Sequence, residues 1–325
     1  MNGEKPKIEI FAPFGVAYEW MKTMLFRPFD AGRWFVIAFA AFLSGAVGGG
    51  FNPGGQLGRL GNGDWKYRSE SHGNLPHWDA TPWIIGIVAG IVLVALVLSV
   101  VWMWVSSRGK FIFTDCVVKN RAAIADPWRE YRREGNSYFL FSLLIMAGTL
   151  LIIAIAALFL WLCFFGFHGR YDPGTPVIVI GIVVIGLIWM AFALFFGVVS
   201  AFMVPVMYRR RCRAKEAFLD VAKLVLGNPG PFVLFILFGI VLALGVAVIG
   251  TIVTCVTCCI GGLPYINTVL LLPAVVWLAA FKLLFFRQFG DPYDVWATAG
   301  VAASADASTQ PPNEMSPPPA PPAMP

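Results

Sequence analysis

Three long stretches of this sequence, 82–105, 138–167 and 177–207, contain no charged residue. An α-helix rises about 1.5 Å per residue, so about 20 apolar residues cross roughly 30 Å of hydrocarbon. Each stretch is longer than that. Composition agrees: 58% of the 325 residues are hydrophobic and 13% are charged, with a mean hydropathy of +0.74. Soluble domains run near 45–50% apolar and about 25% charged. The expected fold class is therefore all-α, a polytopic membrane helical bundle. The N-terminal MNGEKPKIEIFAPFGVAYEW lacks the apolar h-region and small-residue cleavage site of a secretory signal. Insertion is expected through a span that stays in the chain.

The hydropathy pattern predicts six spans, at 33–49, 82–105, 138–167, 177–207, 231–258 and 263–286. They form a membrane domain over 33–289, between an N-terminal arm (1–32) and a Pro/Ala-rich tail (290–325) expected to be disordered and partly polyproline II. Lysine and arginine fall unevenly about these spans. Five lie in the arm through Arg33, seven in 106–137, six in 208–230 and two from Lys282 onward. Only Arg59, Lys66, Arg68 and Arg170 lie in the alternate loops, so 20 of the 24 share one side. Short-loop Lys/Arg bias sets orientation, which predicts cytoplasmic N- and C-termini. The same bias accounts for the net charge of +6 without nucleic-acid binding, because the charge follows topology and is not gathered on one face.

Short amphipathic segments precede each predicted hairpin. In IADPWREYRREGN, Asp126 reads as an N-cap, Pro127 as the first helical residue and Gly135 as the residue ending the helix. REGNSYFLF then reads as a hinge from the surface into the bilayer. In RAKEAFLDVAKLVLGN, the residues Ala214, Ala217, Phe218, Val221, Leu224 and Val225 share one stripe. Gly227 ends that segment, with Pro229 and Pro231 beyond it. The arm segment AYEWMKTMLFRPFDAGRW is a looser third case. Interfacial helices of this kind can bind anionic head groups. The residues placed there are Trp20, Arg27, Trp128, Tyr131, Arg132, Arg133, Arg209, Arg210 and Arg211.

Few residues point to chemistry. None of the six predicted spans contains Asp or Glu, which argues against a proton-coupled pump. Lys282 is the one charge well inside a span; its place about one turn from Arg287 predicts that it snorkels to the interface. A polar path, if one exists, would draw on Thr251, Thr254, Asn267 and Thr268. Cys255, Cys258 and Cys259, in CVTCC, have the C-x-x-C spacing of redox or metal sites. Small Cys and Thr residues are also ordinary packing material in membrane helices. Repeated small residues such as Gly86 and Gly90 fit close helix packing. The glycine-rich GGQLGRLGNGD lacks the lysine and hydroxyl residue of a phosphate loop. No hydrolytic motif occurs, and no cofactor or metal is expected.

Around FRPFDAGRWF, SRGKFIFTDCVVKNRAAIADPWREYRREGNSYFLF and KLLFFRQFGDPYDVW, the chain resembles an uncharacterised family of bacterial six-pass inner-membrane proteins. Its layout also resembles the membrane domain attached to some glycerophosphodiester phosphodiesterases. The resemblance implies an integral membrane role and carries no catalytic residue. The leading expectation is a non-enzymatic protein that organises membrane lipids or a protein partner. Two alternatives stay open: a transporter or channel for a lipid-like or small apolar substrate, and a membrane redox protein using the three cysteines.

Overall fold

The computed structural model describes residues 9–46, 82–166, 175–257 and 263–297, and every regular element among them is helical. In chain order these are α1 (Phe11–Phe26), α2 (Ala31–Ser44), α3 (Pro82–Lys119), α4 (Ala125–Glu130), α5 (Arg132–Gly166), α6 (Thr175–Arg210), α7 (Ala214–Gly227), α8 (Pro229–Val256), α9 (Pro264–Leu270) and α10 (Leu272–Arg287). A single 3₁₀ turn, Asp291–Tyr293, follows. The glycine-rich loop, the tail from residue 298 onward, Cys258, Cys259 and all three histidines lie outside the described residues, whereas 290–297 of the tail expected to be disordered hold the 3₁₀ turn and a buried Val295.

The long helices have two different halves. Around the C-terminal part of α3, the N-terminal part of α5 and the C-terminal part of α6, side chains pack into a continuous base. Phe111, Ile112, Val117, Phe202, Met203, Met207, Phe285 and Phe286 are all completely buried there. α1 contributes Ala17, Met21 and Met24, and α7 contributes Ala214, Ala217 and Val221. Phenylalanines fill the middle: Phe202 stacks on Phe286 with centroids 4.9 Å apart, and Phe235 on Phe285 at 4.5 Å. The other halves extend as arms whose apolar side chains are exposed, among them Leu93, Leu144, Ile188 and Leu244.

Four described helices, α3, α5, α6 and α8, are long and apolar enough to cross a membrane. The expected first span is the 14-residue α2, about 21 Å long at the helical rise. Its ends are fixed by local chemistry. Asp30 Oδ1 accepts from the Gly32 amide at 2.8 Å and the Arg33 amide at 3.4 Å. Gly45 adopts φ 71°, and the amides of Gly45 and Ala46 return to the carbonyls of Phe42 and Ala41. This left-handed glycine ends α2 before the expected Gly49. The expected sixth span is divided at Leu271, the residue between α9 and α10, with Pro273 in the first turn that follows.

Two further expectations change. α3 does not end near Val105; it continues to Lys119, so much of the expected cytoplasmic loop is helix. Its close approach to α2 depends on Gly109, where a Cβ would sit 2.5 Å from the carbonyl carbon of Leu43. Nor does Gly135 end a surface helix. The break comes earlier, at Tyr131, and α5 runs unbroken from Arg132 through Gly135, Asn136 and Ser137. Asp126 lies inside the first turn of α4, whose N-cap is Ile124. The second hinge stands: α7 ends at Gly227, Asn228 is its cap, and Pro229 opens α8.

Candidate functional site

The base holds three polar groupings that hydropathy alone did not reveal. The first centres on Asp115, which is completely buried on α3. Its Oδ1 accepts from Tyr208 Oη at 2.9 Å and lies 2.8 Å from Lys119 Nζ. Its Oδ2 accepts from Arg121 Nε at 2.8 Å, with Arg121 Nη2 also at 2.8 Å. Burying a carboxylate is costly unless it is paired and hydrogen-bonded, and here both oxygens are engaged. Burial alone would lower the pKa of Arg121, but the bond to Asp115 and its charge outweigh that and shift the guanidinium upward. Asp115 therefore clamps α3, the turn after it and the end of α6.

Glu130 extends this network to the end of α6. Arg211 has left-handed backbone, φ 53°, a conformation uncommon for a residue with a side chain. It pairs with the Glu130 carboxylate, donates to the Glu130 carbonyl at 3.3 Å and lies 3.8 Å from Glu134. Its guanidinium also sits 4.0 Å from the centre of the Tyr131 ring, which stacks on Tyr208 at 5.0 Å. Burial pushes the Tyr131 phenol upward.

The second grouping joins α3 to α5. Arg108 is 6% exposed and donates from Nε and Nη2 to Asn136 Oδ1 at 3.3 and 2.8 Å. Trp104 Nε1 donates to the same oxygen at 3.2 Å. The guanidinium lies 4.3 Å from the Trp104 ring centre and 5.0 Å from that of Trp128. Gly135 leaves room for this arginine, since a Cβ there would meet Arg108 Cγ at 2.8 Å.

The third is a cavity of about 390 Å³ among α2, α3, α5, α6 and α10. Lys110, Lys282, Tyr138, Ser44, Thr114 and Ser200 supply its polar lining, and Phe113, Val117 and Leu278 are part of the apolar wall. Lys110 Nζ donates to Tyr138 Oη at 3.1 Å. Lys282 lines this cavity from α10, as Lys110 does from α3.

The expected interfacial residues divide into two sets. Trp20 donates to the Val117 carbonyl at 3.0 Å, Tyr131 is buried, and Trp128 packs on Trp104. Arg210 pairs with Asp220 at 2.8 Å, and Arg211 belongs to the Glu130 network. These residues hold the base together. Arg27, Arg132 and Arg133 are exposed, and Arg209 is half-buried. The four polar candidates do not converge on the cavity, and none of them lines it. Thr251 and Thr254 return their hydroxyls to the carbonyls of Ala247 and Gly250 within α8. Thr268 is buried, and Asn267 has a buried Oδ1 without a hydrogen bond. Cys255 is an exposed free thiol, and Cys116 and Cys212 are also free.

Asp115 and Glu134 lie outside the predicted spans, as expected, but on the extensions of α3 and α5 that continue them. The signal was present in FIFTDCVVK, where apolar residues flank Asp115 at helical spacing and Lys119 follows four residues later. No group of His, Cys, Asp and Glu able to hold a metal occurs among the described residues.

Comparison with known proteins gives one assignment. The chain matches the family of unknown function DUF7544 over residues 11–304 and belongs to that family. No curated protein and no solved structure matches it.

Proposed function

We propose that this family member is a non-enzymatic integral membrane protein that organises lipid or a partner protein at the cytoplasmic face of a bacterial inner membrane. The observation that carries this reading is the division between a packed base and apolar arms. Leu93 is 63% exposed, Leu144 70%, Ile188 66% and Leu244 62%. In water such arms would form an apolar surface far beyond that of a monomeric soluble protein. Among acyl chains they need no protein partner, and their backbone polar groups are satisfied within each helix.

In this reading α3, α5, α6 and α8 cross the bilayer, and α2 and the divided α9–α10 pair complete a six-segment arrangement. The Lys/Arg bias supports cytoplasmic termini. Exposed Arg27, Arg132 and Arg133 then face the anionic leaflet surface, where each basic residue gains about 1 kcal/mol. The test is to extract the full chain with its native lipid and identify what accompanies it by mass spectrometry. Enrichment of an anionic lipid over the bulk membrane, or a reproducible protein partner, is expected. Bulk lipid composition with no partner would overturn the reading.

A further inference from the structure

The basic residues of the base fall into two classes. Lys119, Arg121, Arg210, Arg211 and Arg287 each lie within ion-pair distance of a carboxylate. Lys110 and Lys282, on the cavity, do not; Arg108 also lacks a carboxylate but is held by Asn136 Oδ1. Lys110 donates to the neutral Tyr138 hydroxyl and lies 4.6 Å from its ring centre. Lys282 Nζ has neither a hydrogen bond nor an ion pair to any described residue. Both line the same cavity, and no carboxylate is among its lining residues.

Lys110 and Lys282 are each half-buried, and two ammonium groups facing one cavity without a carboxylate add like-charge repulsion to partial desolvation. The rest of the wall does not relieve this. The hydroxyls of Ser44, Thr114 and Ser200 donate to the carbonyls of Ala41, Lys110 and Gly197 in their own helices. The Tyr138 oxygen accepts from Lys110, so its own proton is free to be donated to a ligand. The cavity thus offers two cations and one phenolic donor. At about 390 Å³ it falls within the roughly 300–1,000 Å³ of small-molecule sites.

We propose that this cavity binds one phosphate-type anion between Lys110 and Lys282, with Tyr138 as a third donor. Ammonium groups bind phosphate as point charges with rotatable donors, and a tetrahedral oxyanion has oxygens enough to meet two of them and a phenol at once. The inference deepens the lipid reading above and rests on it for the source of the phosphate. The apolar wall of Phe113, Val117 and Leu278 favours a phospholipid head group over the free ion, and the two share the same binding chemistry.

The experiment uses the full chain stripped of native lipid in detergent. Native mass spectrometry follows retention of phosphatidylglycerol against phosphatidylcholine, and inorganic phosphate is titrated separately by thermal shift. Wild type is expected to retain a single phosphatidylglycerol in preference to phosphatidylcholine. Lys110→Gln or Lys282→Gln should each weaken that preference roughly tenfold, the scale of one lost charge-assisted hydrogen bond. Arg27→Gln should leave it unchanged. Lys282→Met has no described partner to lose, so it should fold and melt at or above the wild-type temperature when lipid-free.

Stabilisation by inorganic phosphate that requires both lysines, without lipid preference, would support the anion site and identify its ligand as the free ion. In that case the lipid reading fails while the site stands. A lipid preference unaffected by either lysine variant would overturn the site while leaving the lipid reading intact. Lipid-free destabilisation by Lys282→Met would also overturn it, because it would mean that Lys282 holds the fold.

Discussion

Gly-Asn leads into an apolar run at 135–136 and again at 227–228, and the two sites do opposite things. At 227–228 one helix stops and the next begins: the Asn228 amide returns to the Leu224 carbonyl at 3.1 Å, and Pro229 opens α8. At 135–136 the helix continues, with Gly135 facing Arg108 and Asn136 accepting from Arg108 and Trp104. The dipeptide alone does not terminate a helix. Proline immediately beyond it does, because the missing amide and the ring prevent continuation. Where proline is absent, the same two residues serve tertiary packing between α3 and α5.

The strongest way to break this contrast is to remove the acceptor. Asn136→Leu would leave the Arg108 guanidinium, 6% exposed, without its described hydrogen-bond acceptor. Removing the acceptor of a buried, charge-assisted hydrogen bond costs about 1.5–3 kcal/mol. Chemical unfolding of the full chain in detergent should register a loss on that scale, and Asn136→Asp should recover most of it. A loss below about 1 kcal/mol for Asn136→Leu would reduce the site to a surface hydrogen bond.

Gly135→Ala probes the same contact sterically. The new methyl would meet Arg108 Cγ at 2.8 Å and Cα at 3.4 Å, close to the α3 backbone, where a side-chain rotation gives little relief. The expected cost is about 1–3 kcal/mol, the range for overpacking. Combining it with Arg108→Ala should give a total smaller than the sum of the two single effects, because the obstructing atom is gone. Simple additivity would mean that α3 and α5 do not press together at this point.

Sequence made the apolar arms legible because an uncharged run of membrane length needs no information from elsewhere in the chain. It also identified the end of α7, where Gly227 and Pro229 are local signals. The base was less legible. Arg108, Lys110 and Asp115 look like a charged loop until their partners at Asn136, Tyr138 and Tyr208 are brought beside them. The lysine cavity was hidden for the same reason, since Lys110 and Lys282 lie on α3 and α10 and meet only through tertiary packing. Hydropathy gave Lys282 no partner group, and only the fold brings it to the cavity that Lys110 also lines. α2 was over-extended because the left-handed turn at Gly45 interrupts a run that remains small and apolar beyond it.

The smallest effect, and the one with the opposite sign, is expected at the second site. Gly227 is exposed and helical, and a Cβ there would meet nothing within 4 Å. Glycine in a helix carries a backbone-entropy cost relative to alanine, and a compatible Gly→Ala change gains about 0.4–1 kcal/mol. Gly227→Ala should therefore stabilise slightly, where Gly135→Ala destabilises. The same unfolding measurement compares the two directly. A loss of more than about 1 kcal/mol at Gly227 would mean that glycine itself sets this helix end; a small gain would assign the stop to Pro229 and leave Gly135 as the glycine on which packing depends.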